Sequence, residues 1–231
     1  MLEQTGDCYE SFATQYAETV DQKAIMLHYE RPALISLLPD VQGMKVLDAG
    51  CGTGWCSEYL LNQNAQVTAF DLNEEFVART RSRLGTQATV LQANLAEPLT
   101  FLADETFDLI VSSLVMHYIK DWRKVFREFN RVLKAGGQLV FSTHHPFTDW
   151  KMFEQLNYFS CDLLEDRWDV GKVKFFRRPL SAMSEDLEAT GFVIDRILEP
   201  RPQKVLRDIE PELFQRLDHE PWRLMFRVRK L

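Results

Sequence analysis

The sequence predicts an α/β fold, in which helices cover both faces of a mainly parallel, doubly wound β-sheet. From residue 45 onward, short β-rich runs alternate with longer segments of helical periodicity, as is typical of parallel sheets. A second observation is KVLDAGCGTG at residues 45–54, where three alternate glycines follow a buried run. A strand, a tight glycine turn and a helix that begins directly afterwards form a common ligand-binding unit of such sheets.

The predicted strands are short runs rich in β-branched and aromatic residues. They occupy residues 45–48, 66–72, 88–95, 107–115, 138–143, 192–198 and 222–229. Because helical segments separate most of them, we expect a parallel sheet that is covered on both faces.

The predicted helices are identified by apolar periodicity and by residues that favour helix ends. Asn73 caps a helix over residues 73–84, whose first turn carries two glutamates. An amphipathic helix over residues 122–134 stops at Gly136 and Gly137. Further helices are predicted at residues 11–28, 32–38, 55–61 and 184–190.

We expect all 231 residues to form one domain, because no repeat, low-complexity tract or linker divides the chain. Residues 1–44 would form a helical cover. The connection at residues 146–180 would form an insert or lid, with short strands at 158–159 and 175–176 and a turn at 170–172. The many aromatic residues of this insert favour a lid over an apolar or planar substrate.

Composition and charge argue against several classes of function. The net charge is −7 and the pI is about 5.3, so the basic surface of a nucleic-acid-binding protein is missing. No apolar run reaches the roughly 20 residues of a membrane helix, and the polar start MLEQTGDCYE is unlike a signal peptide. Cys8, Cys51, Cys56 and Cys161 form no CxxC pair. We therefore expect a cytoplasmic protein with reduced thiols and no metal site.

Candidate ligand-binding residues lie where the predicted strands end, because ligands of open parallel sheets bind outside the carboxyl ends of the strands. The first strand ends at Asp48 and the glycine turn, and the second ends at Asp71, an acid suited to ribose hydroxyls. The later strand ends are Asn94 with Leu95, Ser112 with Ser113, and His144 with His145.

The residues of the glycine turn narrow the choice of ligand. A dinucleotide fingerprint that starts at Gly50 needs glycine at its sixth position, where this chain has Trp55. The phosphate-binding motif GxxxxGK[ST] does not occur. Asp48 beside the turn would repel a pyrophosphate, but it suits a ligand with an ammonium or sulfonium charge. Together with the ribose acceptor Asp71, these features describe S-adenosylmethionine.

Four segments resemble the motifs of a known family. They are VLDAGCGTG, FDL, FDLIVSSLVMHYI and RVLKAGGQLVFSTHHPF. The chain thereby resembles, over nearly its whole length, the class I S-adenosylmethionine-dependent methyltransferases, in the small-molecule group often labelled type 11. The resemblance implies a Rossmann-like sheet of seven mainly parallel strands with an antiparallel last strand.

The resemblance also implies roles for individual residues in binding the cofactor. Gly50 and Gly52 would line its methionine part with Ser113 and Met116 nearby, and Tyr16 would close over it. The full implied set is Tyr16, Asp48, Gly50, Cys51, Gly52, Gly54, Asp71, Leu72, Asn94, Leu95, Ser113 and Met116.

The adenosine part would be held by residues at the ends of the second and third strands. Asp71 would accept both ribose hydroxyls, Leu72 would lie beside the adenine, and Asn94 and Leu95 would hold the adenine edge. The family usually has aspartate where this chain has Asn94. An amide oxygen can also accept the adenine amino proton, so we expect weaker binding at most.

Structural roles remain open for several of these residues. Asp71 could cap the following helix, and Asn94 could serve only as a turn residue. His117, His144 and His145 are candidates for a general base because imidazole titrates near neutral pH. Methyl transfer depends mainly on positioning, however, and needs no dedicated base.

The expected function is methyl transfer from S-adenosylmethionine to an oxygen or nitrogen atom of a small molecule. Two alternatives from other classes stay open: a tRNA or protein methyltransferase, and a non-catalytic S-adenosylmethionine-binding protein. A third option, within the enzyme class, is a carbon-methylating enzyme of quinone or lipid biosynthesis. The negative charge argues against tRNA. The sequence indicates neither the acceptor nor the oligomeric state.

Overall fold

A computed structural model describes residues 13–153, 157–168 and 171–231, including only the backbone of Trp168. Its strands are short and mostly buried, as their apolar composition predicts. In chain order they are β1 (Lys45–Ala49), β2 (Gln66–Asp71), β3 (Thr89–Gln92), β4 (Phe107–Ser113), β5 (Leu133–His144), β6 (Asp162–Trp168), β7 (Gly171–Arg177), β8 (Phe192–Leu198) and β9 (Arg223–Lys230).

Seven of these strands form one sheet in the order β3-β2-β1-β4-β5-β9-β8. The pairs β3-β2, β2-β1, β1-β4 and β4-β5 are parallel, whereas β9 runs antiparallel to both β5 and β8. This arrangement confirms the predicted Rossmann-like sheet with its antiparallel last strand. The strand order reverses between β1 and β4, so a ligand cleft is expected at their carboxyl ends.

Helices cover both faces of the sheet and produce two large hydrophobic clusters. One cluster contains Trp122, Phe126 and Phe129, and the other contains Leu34 and Leu60. The helices are α1 (Ala13–Thr19), α2 (Arg31–Leu37), α3 (Trp55–Asn62), α4 (Glu74–Leu84), α5 (Trp122–Val132), α6 (Pro146–Met152), α7 (Leu180–Glu188), α8 (Leu206–Ile209) and α9 (Pro211–His219). Among the described residues, no helix is long and apolar enough to cross a membrane.

The N-terminal cover is divided more finely than the predicted helix at residues 11–28, of which 11 and 12 lie outside the described residues. After α1 come a 3₁₀ turn at Val20–Gln22 and a π-helix at Met26–Glu30 that leads into α2. The hydroxyl of Tyr29, at the end of the π-helix, accepts hydrogen bonds from the backbone N–H groups of Trp222 and Arg223, both at 3.2 Å. The cover is therefore attached directly to the start of β9.

The prediction that Gly136 and Gly137 end the helix before β5 is wrong. That helix ends at Val132, and β5 already begins at Leu133, which pairs with Phe107. The β4-β5 register then shifts between Phe107 and Leu109, so the glycines lie in an irregular part of the strand. Glycine is suited to both places, and the sequence alone does not distinguish them.

The insert after β5 contains a helix and a hairpin. Pro146 begins α6, and β6 and β7 pair as an antiparallel hairpin that includes the strand predicted at 175–176. Residues 158–159, predicted as a strand, instead lie in a turn. Buried Arg177 holds this turn by donating to the backbone carbonyls of Asn157 and Tyr158. Of the predicted turn at 170–172, residue 170 lies outside the described residues, and 171 and 172 belong to β7.

Candidate functional site

A cavity of 1910 Å³ lies at the carboxyl ends of the parallel strands, under the N-terminal cover and the β6-β7 hairpin. It extends from the glycine turn after β1 to the ends of β5 and the hairpin. Most of the site residues predicted from the sequence line it. These are Tyr16, Asp48, Gly50, Cys51, Gly52, Asp71, Leu72, Asn94, Leu95, Ser113, His117 and His144.

The three glycines of the turn all have positive φ angles, but they do different things. A Cβ on Gly50 would lie 2.3 Å from Val115, and one on Gly54 would lie 2.9 Å from Thr80. A Cβ on Gly52 would meet nothing within 4 Å. Close approach of a ligand to the backbone is therefore expected only at Gly52, whereas Gly50 and Gly54 allow close packing inside the protein.

Asp48 is almost completely buried, and its carboxylate accepts a hydrogen bond of 2.6 Å from Ser57 of α3. Burial, together with a smaller contribution from the nearby charge of Asp71, raises the pKa of Asp48 to about 7. Among the described residues no cationic side chain pairs with Asp48. A positively charged ligand beside it would supply the missing partner.

Asp71 holds the glycine turn in place at the end of β2. Its Oδ2 accepts a hydrogen bond from the backbone N–H of Gly52, and its Oδ1 accepts one from Asn73, both at 2.9 Å. The cap of α4 is Asn73 itself, whose side chain accepts from Phe76. Each carboxylate oxygen keeps a second lone pair for a ligand. Burial raises the pKa of Asp71 despite these hydrogen bonds.

The turn after β3 brings Asn94 to the cavity wall. Its Oδ1 accepts a hydrogen bond of 2.9 Å from the backbone N–H of Ala96, the arrangement of an Asx turn. Asn94 therefore does hold a turn, and its amide NH₂ group remains as a donor. Leu72 and Leu95 line the same end of the cavity as partly and fully buried apolar side chains.

Two further residues of the predicted set meet other parts of the protein at the cavity wall. The ring of Tyr16 on α1 packs at 6.0 Å against Phe76 of α4, so α1 covers the turn after β2. The Cys51 thiol lies 3.7 Å from the hydroxyl of Thr80. Burial raises the pKa of Cys51, which keeps it a neutral thiol.

Ser113 is tied to a buried acid that the sequence did not single out. Its hydroxyl and that of Ser142 donate to the same oxygen of Glu30, at 2.9 and 2.7 Å. Glu30 lies at the end of the π-helix and is fully buried, and this burial raises its pKa. The network joins the N-terminal cover to the ends of β4 and β5.

Gly54 and Met116, which the resemblance places at the cofactor, do not line the cavity. Gly54 is the N-cap of α3 and lies against Thr80. Met116 is fully buried in the hydrophobic core, and its backbone carbonyl accepts from the indole of Trp122. These two positions support the site through packing.

His117 and His144 are stacked on the cavity wall, with ring centroids 3.9 Å apart and an interplanar angle of 15°. Burial holds the pKa of both imidazoles well below the usual value of 6.5, so both are neutral at pH 7. Asp149 of α6 lies 3.7 Å from Nδ1 of His144. Burial also raises the pKa of Asp149 to about 7.

His145 has a different environment and does not line the cavity. Its Nδ1 accepts a hydrogen bond from the backbone N–H of Phe147, which makes it the N-cap of α6. Its Nε2 lies 2.8 Å from Glu199, so the second ring nitrogen donates to that carboxylate. Burial lowers the pKa of His145. The structure therefore places His145 in a structural contact and separates it from the other two histidines.

The half of the cavity under the hairpin contains residues that sequence reasoning missed, among them Asp149, Phe175, Trp222 and Arg223. Arg223 is the register partner of His144 in the antiparallel β5-β9 pair. This pairing could have indicated that Arg223 belongs to the site, because Arg223 begins β9 and His144 ends the neighbouring β5. The sequence gives no β9 pairing partner, however, so the signal could not be used.

S-adenosylmethionine, which the sequence resemblance implies, fits this cavity on three observations. The backbone at Gly52 is open, the oxygens of Asp71 have unused lone pairs beside it, and Asp48 has a buried charge without a cationic partner. The open backbone at Gly52 suits the methionine part of the cofactor, and the Asp71 oxygens suit the ribose hydroxyls. Asp48 suits a cationic group. No cluster of His, Cys, Asp and Glu among the described residues is suited to a metal ion.

Comparison with known proteins finds similarity to methyltransferases. Residues 47–141 match a family model described as a methyltransferase domain. The structure is similar to an S-adenosylmethionine-dependent methyltransferase from Mesorhizobium loti, with a TM-score of 0.72, 28% identity and coverage of 91% of this chain and 100% of that one.

Two curated relatives are malonyl-[acyl-carrier protein] O-methyltransferases. The protein from Erwinia billingiae is 37% identical over 55% of this chain, and that from Salmonella typhimurium is 34% identical over 57%. The chain spans about half of the length of these relatives, 49% in each case. The motifs, the sheet order and these similarities agree. The chain contains a methyltransferase domain and has the fold of the class I S-adenosylmethionine-dependent methyltransferases.

Proposed function

We propose that the chain transfers a methyl group from S-adenosylmethionine to an oxygen or nitrogen atom of a small molecule that binds under the β6-β7 hairpin. The observation that carries this proposal is the continuity of the cavity. One end has the glycine turn and Asp71, and the other has His117, His144 and Phe175. A volume of 1910 Å³ exceeds that of a typical small-molecule pocket, so it offers room for a cofactor and an acceptor together.

In this proposal the cofactor half is held by the residues around the glycine turn. Gly52 offers its backbone to the methionine part, Asp71 accepts from the ribose hydroxyls, and Asp48 compensates positive charge. Leu72 and Leu95 contact the adenine faces. Asn94 contacts the adenine edge with its amide NH₂ group or with the second lone pair of its oxygen, which also accepts from Ala96.

S-adenosylmethionine, when bound, supplies a methyl carbon that is activated by a sulfonium leaving group. The protein's part is to hold the acceptor atom at a near-attack distance, roughly 3–3.5 Å, and to exclude water. Aromatic side chains such as Phe175 of the hairpin and Phe153, the C-cap of α6, cover the acceptor half. A neutral His117 or His144 is able to accept a proton from the attacking group, and Asp149 would stabilise an imidazolium at His144.

Oxygen as the acceptor atom is supported by the two curated relatives, whose names describe O-methyltransferases. Nitrogen stays within the proposal, because neutral imidazoles serve as proton acceptors for either atom. A tRNA acceptor is disfavoured by the net charge of −7.

Two measurements test the proposal. Isothermal titration with S-adenosylmethionine should show binding that Asp71→Ala weakens by roughly tenfold or more, because hydrogen bonds to a charged group are lost. Asp208→Ala, which changes an exposed aspartate of α8, is the matched control and should bind normally.

The second measurement identifies the class of acceptor. Methyl-labelled S-adenosylmethionine is added with the protein to a cell extract, which is then separated into small molecules, RNA and protein. Label in the small-molecule fraction supports the proposal. Label confined to RNA or protein contradicts it and favours the corresponding alternative, and no transfer to any fraction contradicts it as well.

A further inference from the structure

Several buried nitrogen atoms on the acceptor side of the cavity have no hydrogen-bond partner among the described residues. They are Nε of Arg223, Nε1 of Trp222 and both ring nitrogens of His117. His117 is only 2% exposed. Buried polar atoms in folded proteins are nearly always hydrogen-bonded, so unpartnered atoms on one cavity wall indicate a ligand group that is bound there.

These residues are neighbours in the fold. Arg223 lies opposite His144 in the β5-β9 register, so both side chains project from the same face of the sheet. His144 in turn stacks on His117 at 3.9 Å. Trp222 directly precedes Arg223, and its indole ring is held by the guanidinium of Arg216 at 3.9 Å. The unpartnered atoms therefore belong to one contiguous part of the wall.

The charge of Arg223 is not neutralised by an ion pair within the part of the chain that the structure describes. Its guanidinium donates one hydrogen bond of 3.1 Å, to the backbone carbonyl of Trp222. The buried acids in its field, Asp149 and Glu30, both have a pKa that burial raises, which weakens them as counter-charges at neutral pH. Arg178, on the same cavity, differs because it pairs with Asp186 and donates to the carbonyl of Ile119.

We propose that Arg223, together with the indole N–H of Trp222 and the imidazole of His117, binds a carboxylate group of the methyl acceptor. This assignment rests on the proposed function and adds the chemical class of the substrate. The available groups on Arg223 and Trp222 are donors, and a carboxylate presents acceptor oxygens with a single negative charge. Hydrogen bonds between ionised partners are also about twice as strong as neutral ones, so the site discriminates acids from uncharged analogues.

The test measures binding of matched probes to the protein saturated with S-adenosylhomocysteine. Benzoate, phenylacetate and 3-phenylpropionate are titrated beside their primary amides, which keep the shape and lose the charge. We expect at least one acid to bind more tightly than its amide, by roughly tenfold to a hundredfold. Arg223→Gln should remove this preference.

Arg167→Gln is the matched control, because it removes an exposed arginine of β6 that lines the same cavity. It should keep the preference for the acid. Arg223→Lys retains the charge without the planar fork and should keep part of the preference, which remains informative if Arg223→Gln does not fold. Thermal melting establishes that each variant is folded.

Three outcomes would overturn the proposal: equal affinity for acid and amide, no detectable binding of any acid, or an acid preference that survives in Arg223→Gln. Its failure is distinguishable from failure of the proposed function. Transfer of labelled methyl groups to a small molecule without a carboxylate would reject the acid-binding site and leave the methyltransferase activity intact. Acid binding without any methyl transfer would reject the proposed methyltransferase activity and leave the acid-binding site intact.

Discussion

A Cβ built on Gly50 would lie 2.3 Å from Cγ2 of Val115, closer than real Cβ atoms approach any neighbour. Glycine is therefore required at position 50 because of Val115, two residues after the end of β4, and not because of a ligand. The parallel strands β1 and β4 are neighbours in this sheet, and the turn after β1 packs against the segment after β4. A Cβ on the neighbouring Gly52 would meet nothing within 4 Å.

This difference predicts that substitution of Gly50 mainly affects stability, whereas substitution of Gly52 mainly affects cofactor binding. Gly50→Ala should lower the free energy of unfolding by roughly 2–4 kcal/mol, from overpacking and a positive φ together. Gly52→Ala should cost only about 1–2 kcal/mol of stability, from φ alone, but should weaken S-adenosylmethionine binding more. Urea unfolding and isothermal titration measure the two quantities. Val115→Ala should recover part of the loss in Gly50→Ala, and strict additivity would contradict the packing explanation.

Asp48 predicts a pH dependence of cofactor binding. Its pKa is raised to about 7 by burial, and a cationic ligand favours the ionised form. Binding of S-adenosylmethionine near pH 7 should therefore release protons and become tighter as the pH rises through 7. Titrations in buffers of different ionisation enthalpy count these protons. Asp48→Asn should bind more weakly and release fewer, and unchanged proton release in this variant would rule out Asp48 as the source.

The same substitution should stabilise the free protein at alkaline pH. The carboxyl ionises near 3.8 in the unfolded chain and near 7 in the folded one, so wild-type stability falls between these values and stays low above them. At pH 8, Asp48→Asn should gain on the order of 1–4 kcal/mol, whereas at pH 4 it should gain nothing. Urea unfolding at both pH values is the measurement. Equal effects at the two would show that the buried charge is not the cause.

His117 and His144 predict a loss of stability in acid. Both are neutral in the folded state, where burial holds the pKa well below 6.5, whereas in the unfolded chain both accept protons near 6.5. Stability should therefore be intact above that value and fall below it, by up to about 1.4 kcal/mol per pH unit for each group. His117→Phe should reduce the slope, as measured by urea unfolding between pH 7 and 5. His219→Phe, which changes an exposed histidine, should leave the slope unchanged.

His145 and His117 should separate stability from catalysis. His145→Ala removes the cap of α6 and the contact with Glu199, at a cost of about 1–2 kcal/mol, and turnover at saturating acceptor should remain near normal. His117→Ala should instead raise the KM for the acceptor or lower kcat. Once the acceptor fraction is known, steady-state rates distinguish the two. A larger loss of turnover in His145→Ala than in His117→Ala would reverse the assignment.

Much of the fold was predictable because local patterns and tertiary structure agree. Strands β1 and β2, the cap at Asn73 and the apolar stripe of α5 all have the structure that their sequence favours. The errors occurred where two structures suit the same residues. Glycines 136 and 137 suit a helix end as well as an irregular strand, and residues 11–28 show helical periodicity that does not reveal the breaks after Thr19 and Gln22.

The candidate site divides in the same way. Asp48 and Asp71 lie at the carboxyl ends of β1 and β2, and Gly52 lies in the turn after β1, so the general rule for parallel sheets locates them. Glu30 and Arg223 reach the site through contacts with residues far away in the sequence, and no local pattern reveals such contacts. In the acceptor half, the sequence indicated His117, His144 and the aromatic insert, whereas the place of Arg223 is visible only in three dimensions.

The attachment of Tyr29 and Glu30 has a consequence for the order of folding. The partners of Glu30 lie 83 and 112 residues further along the chain, and those of Tyr29 lie 193 and 194 residues further. Because synthesis proceeds from the amino end, the cover leaves the ribosome before the strands on which it docks. Loop-closure entropy also makes such long-range contacts slow to form. We therefore expect the cavity to acquire its roof late in folding, after β9 has joined the sheet.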